Sequence, residues 1–196
     1  MTLHDVDAIN SVGVVLPNCG VDYAGFVFTP HRQQISIETA IKLKRELSPD
    51  IKTVGVFIDE TYDEIKRVVD SGAIDIVQFH GAGEYRMDIP AIKAFRMRTA
   101  DDIKPTDCEY VLFDSYSSGT VGSTGNAFDW RLIDEYRKRA EKPFFLAGGI
   151  NITNIKEAVR LNPYGIDISG GVESNGAKSS DKIKEICLCI EKYSQK

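Results

Sequence analysis

Short apolar runs alternate with longer amphipathic segments along almost the whole chain, which is the sequence sign of repeated βα units and a parallel sheet. The runs are VDYAGFVF at 21–28, KTVGVFI at 52–58, DIVQFHG, AIKAFRM, EYVLFDS, PFFLAGG and GIDISGG. Thr2 can cap a first helix through about Val12, which the Pro-Asn-Cys-Gly stretch at 17–20 ends. Ser36 heads SIETAIKLKREL, and Thr61 with Glu64 makes a capping box ahead of Ile65, Val68 and Val69. Asp129 opens another helix, and two more are expected over about 153–161 and 180–193. GEYRMD is hardly long enough for two helical turns, and 117–126 reads as a Gly- and Ser-rich loop. Seven strands against the eight of a closed barrel give an α/β fold, a TIM (βα)8-type barrel with seven of its eight strands.

With 196 residues and no internal linker, a single βα-barrel domain over 1–196 is expected. The net charge of -5, with basic residues spread along the chain, gives no support to nucleic-acid binding. There is no apolar stretch of about 18 residues, and MTLHDVDAIN lacks the regions of a signal peptide, so no membrane partner and a cytoplasmic location are expected. Cys19, Cys108, Cys187 and Cys189 show no CxxC spacing, which argues against a zinc site or a disulfide framework. Cys187 shares a helical stripe with Ile183, Ile186 and Ile190 and reads as a buried core thiol.

In parallel βα barrels the chemistry sits at the C-terminal ends of the strands. Gly148-Gly149 and Ser169-Gly170-Gly171 end the last two strands, where missing side chains let backbone N–H groups approach a phosphate beside a helix N-terminus. One such pair would be explained by a tight turn; two on successive strands point to a phosphorylated small molecule. Asp114 follows YVLF, against a dry wall that raises a carboxyl pKa and keeps it available as an acid. A loop-capping Asp fits that position equally well. His80 closes DIVQFH as a lining residue, and Asp129 before Trp130 reads as an N-cap.

Taken together, DYAGFVF, VGVFI, VQFHG, IKAFR, LFDS, GSTGNAFDW, LAGGIN and GIDISGGVESNGAK, in that order, resemble the phosphoribosylanthranilate isomerases. The resemblance runs from about residue 21 to residue 178. It implies a (βα)8 barrel of tryptophan biosynthesis that converts N-(5-phosphoribosyl)anthranilate to 1-(2-carboxyphenylamino)-1-deoxyribulose 5-phosphate by an Amadori rearrangement, with no cofactor or metal. It makes Asp114 the general acid and Gly148, Gly149, Ser169 and Gly170 the phosphate cradle. The family's arginine after the second strand corresponds by strict spacing to Gln33, with Arg32 one residue early as the substrate-binding candidate. The family's base is a cysteine in a Lys-Ile-Cys-Gly-type motif just upstream of Thr2, so this chain, starting at Met1, is expected to be impaired. Cys19 lies after the first helix and is no substitute. A catalytically degenerate sugar-phosphate-binding barrel is the alternative, and other phosphate barrels lack support because their lysine-rich strands are not evident. A missing strand leaves sheet edges that a homodimer would cover.

Overall fold

The computed structural model describes residues 21–31, 33–115, 127–139 and 142–194. The helix expected from Thr2, the loop at 117–126, Cys19 and Arg32 lie outside the described residues. The chain divides into two compact units, residues 1–93 and 94–196.

In the first unit β1 (Tyr23–Val27), β2 (Lys52–Phe57) and β3 (Ile76–Phe79) pair in parallel and in chain order, and β4 (Ala91–Met97) joins β3 through Val77↔Ala91, Gln78↔Ile92 and Phe79↔Lys93. Helix α1 (Ile37–Glu46) begins where Ser36 accepts from the Thr39 amide. Helix α2 (Tyr62–Asp70) carries the expected capping box: Thr61 accepts from the Glu64 amide while Glu64 accepts from the Thr61 amide. Ala40, Leu43, Ile65 and Val68 are the buried stripe of these helices. At the foot of the strands the Asp75 carboxylate accepts from the Thr53 amide and hydroxyl and pairs with Lys44 at 2.7 Å. No helix separates β3 from β4, as the short GEYRMD segment predicts.

In the second unit β5 (Tyr110–Ser115), β6 (Phe144–Leu146) and β7 (Gly165–Ile166) are again parallel and in chain order. Helix α3 (Arg131–Arg139) starts where Asp129 accepts from the Arg131 amide, the capping role expected of it. Helix α4 (Ile155–Arg160) and helix α5 (Ser180–Ser194) complete the alternation. Ile183, Ile186 and Cys187 are buried on α5. The run GIDISGG is a strand only over its first two residues, because the chain turns at Ser169 into a 3-10 helix, Gly170–Val172. A hairpin follows, β8 (Glu173–Ser174) against β9 (Ala177–Lys178), turned by Asn175 and Gly176 at φ 53 and 79. Two consecutive positive-φ residues are what a two-residue hairpin turn of this hand requires.

Seven parallel strands taken in chain order, with helices between most of them, make this a TIM-barrel-type α/β fold. No helix among the described residues is long and apolar enough to cross a membrane.

Candidate active site

Side chains alternate across a strand, so the residues on β5 that face the helices and those that face away separate cleanly. Phe113 faces the helices: it is fully buried and its ring lies 4.8 Å from that of Tyr136 on α3. Asp114 therefore projects to the opposite face, at the C-terminal end of the strand where a βα barrel does its chemistry. Burial pushes its carboxyl up to about 6, and the charge of Asp167, just past β7, adds to the rise. An amide hydrogen bond at Ser115 and the Arg96 charge on β4 oppose it without cancelling it. Asp167 keeps solvent access, yet the protein packed around it raises its own carboxyl against the Lys178 charge. A carboxyl balanced near neutrality at a strand end is equipped to give and take a proton.

Gly148 is fitted to that carboxyl. Its φ is +83, and a methyl group there would stand 2.3 Å from the Ser115 nitrogen and 2.7 Å from Asp114 Oδ1. Gly149 follows with φ 69, and its carbonyl accepts from the side-chain amides of Asn151 and Asn154, both at 3.0 Å. The turn after β7 is pressed against this one: a methyl on Gly171 would come 2.0 Å from the Ile150 carbonyl oxygen. The two glycine-bearing turns expected to cradle a phosphate are thus brought together, beside a short extra helix of the kind that recurs at phosphate sites of TIM barrels. Ser169 is steadied by Lys178, whose ammonium donates to its carbonyl at 3.0 Å and its hydroxyl at 3.2 Å and pairs with Glu173 at 3.1 Å.

His80 belongs to the first unit. It is half-buried, its amide donates to the Phe57 carbonyl at 2.8 Å, and its Nε2 lies 2.6 Å from Gln78 Nε2. Arg32 lies outside the described residues, while the Gln33 amide donates to His31 Nδ1 at 3.2 Å. Asp129 is engaged by Arg131, which holds its carboxyl below the usual range. Sequence reasoning missed Arg96, Asp167 and Lys178. Arg96 carried a usable signal, a charged residue near the end of the apolar run AIKAFRM, whereas Asp167 reads as an interior residue of GIDISGG. Among the described residues no group of three or more His, Cys, Asp or Glu could hold a metal ion. The described cysteines stand away from the strand ends that matter: Cys108 precedes β5, and Cys187 and Cys189 are on α5.

Fold and site together define the class: an enzyme of the TIM-barrel type, with a near-neutral carboxyl at one strand end and paired glycine turns at the next two. The family model for N-(5'-phosphoribosyl)anthranilate (PRA) isomerase matches residues 4–188, and the chain belongs to that family. The chain is 42% identical over 173 residues to the N-(5'-phosphoribosyl)anthranilate isomerase of Endomicrobium trichonymphae, with 84% of each chain covered. A solved phosphoribosyl anthranilate isomerase in complex with reduced 1-(o-carboxyphenylamino)-1-deoxyribulose 5-phosphate superposes with a TM-score of 0.73 at 28% identity, covering 94% of this chain and 96% of that one. A structure of monomers generated from the dimeric phosphoribosylanthranilate isomerase of Thermotoga maritima gives a TM-score of 0.74 at 28% identity, with coverages of 94% and 96%.

Proposed function

We propose that this chain acts on N-(5'-phosphoribosyl)anthranilate in tryptophan biosynthesis, in the cytoplasm and without cofactor or metal, rearranging it to 1-(2-carboxyphenylamino)-1-deoxyribulose 5-phosphate. The observation that carries the reading is Asp114, a carboxyl raised to about 6 at a strand end, in a chain of this family. Protonated Asp114 gives its proton to the ribose ring oxygen, the ring opens to a Schiff base, and a base then takes the C2 proton to leave an enolamine that ketonises. The backbone of Gly148, Gly149, Ser169 and Gly170 holds the phosphate; His80 and Arg32 contact the remainder of the substrate. All of 1–196 serves as one domain in this reading.

The base is the open part. The second reading is a sugar-phosphate-binding barrel that does not turn over. Loss of anthranilate fluorescence separates the two readings when the chain is assayed beside a form preceded by a strand bearing a Lys-Ile-Cys-Gly-type motif. Turnover by either form supports the isomerase. Binding of the reduced product by both forms with turnover by neither favours the second reading, and absence of binding removes both.

A further inference from the structure

The connection between β3 and β4 has no helix, although parallel strands are usually joined through one. Something else has to order residues 80–90, and a buried cation stands at the place. Lys93, on β4, is 7% exposed, and its register partner is Phe79, the last residue of β3. Its ammonium donates to three successive carbonyls, Gly81 at 2.9 Å, Ala82 at 3.2 Å and Gly83 at 2.9 Å. These satisfy all three of its N–H donors, while Glu84 Oε2 lies 3.9 Å away. A buried charge held this way is costly to remove, because its partners are left without a donor.

We infer that Lys93 is a positioning residue that sets the place of His80 by gathering the carbonyls of the loop that begins at Gly81. His80 is fixed on both sides of its backbone. Before it, β3 ends at Phe79; after it, Gly81 is pressed so closely on the end of β2 that a methyl there would come 1.7 Å from the Ile58 carbonyl oxygen. The His80 amide is bound to Phe57 and its ring meets Gln78, and the Lys93-bound loop, which begins at the next residue, adds a constraint on where the ring stands. The inference rests on the reading above, in which His80 contacts the substrate.

The test measures affinity for reduced 1-(o-carboxyphenylamino)-1-deoxyribulose 5-phosphate by calorimetry and the His80 ring resonances by NMR, in the full chain and in Lys93→Met. Misplacing a contact residue by a fraction of an ångström to an ångström is expected to weaken binding by about tenfold or more, with shifted His80 signals and a cooperative unfolding transition. Affinity within about twofold of the parent, with His80 signals unmoved, overturns the inference. If Lys93→Met does not fold, Lys93→Arg decides. It keeps the charge, but a planar fork cannot meet three carbonyls that converge on a point, so binding should weaken by roughly threefold and the His80 signals should move; parental values for both reject the role. If the parent chain does not bind the probe, the functional reading fails, and the His80 resonances alone then decide whether Lys93 positions the ring.

Discussion

At the scale of single residues, Asp114 links stability and activity with opposite signs. Its folded carboxyl titrates near 6 instead of the usual 3.8, so the folded chain disfavours the ionised form. Below about pH 4 the group is neutral in both states and has no effect. Between about 4 and 6 the unfolded chain ionises first and stability falls, and above 6 the cost stays level at up to about 3 kcal/mol. Asp114→Asn should therefore be more stable than the parent at pH 8 and no more stable at pH 4, which urea unfolding at the two values checks; equal differences at both would show that the burial penalty is absent. The same substitution removes the acid, so kcat/KM should fall by about a hundredfold or more, and the parent's own kcat/KM should decline as pH rises through about 6. Gly148→Ala brings a positive φ and a methyl 2.7 Å from Asp114 Oδ1. It should lose about 1–3 kcal/mol and more activity than that loss explains, measured by unfolding and turnover on the same preparation. Asp114, Gly148 and Ser169 were legible in the sequence because each stands at the end of an apolar run. Lys93 was not legible: inside AIKAFRM a lysine reads as one more strand residue, and only the fold shows three carbonyls around it.

At the scale of elements, local signals were legible where a side chain caps its own helix. Ser36, Thr61 with Glu64, and Asp129 act within three residues of themselves, and each marks a helix start in the structure. Thr61→Ala removes one half of the α2 capping box and none of the proposed substrate contacts, so it should cost about 1 kcal/mol in unfolding experiments and leave affinity for the reduced product unchanged. A change in affinity there would mean that α2 reaches the ligand. The ends of the last strands were harder to read. GIDISGG has the composition of a seven-residue strand, but pairing with β6 is recorded only at Gly165 and Ile166, and the chain then turns at Ser169 toward the 3-10 helix. The hairpin after it carried a signal that went unread, Asn175-Gly176 between two short segments, which is the dipeptide that two-residue turns prefer.

At the scale of the whole molecule, 29 acidic residues against 24 basic ones give the chain a net charge of the same sign as a phosphorylated ligand and as nucleic acid. A sheet edge without a strand partner invites a second chain, and a homodimer is the assembly proposed for this chain. A dimer of the 21.8 kDa chain is therefore expected in sedimentation equilibrium at micromolar concentration, and a monomer mass that does not change with concentration would count against it. The proposed binding of a phosphate rests on local geometry, with Gly171 of one turn pressed against Ile150 of the other, and so it does not depend on a favourable overall field. Ribose 5-phosphate, which lacks the anthranilate ring, should then stabilise the chain by mass action alone, by about 2.7 kcal/mol at a hundred times its dissociation constant. For a chain of this length that corresponds to a rise in Tm of roughly 5–10 °C. Asp114→Asn should show the same rise, because the acid is not among the groups that hold the phosphate, whereas Gly148→Ala should lose most of it. A thermal shift absent from the parent at saturating ribose 5-phosphate would instead mean that the paired glycine turns are only turns.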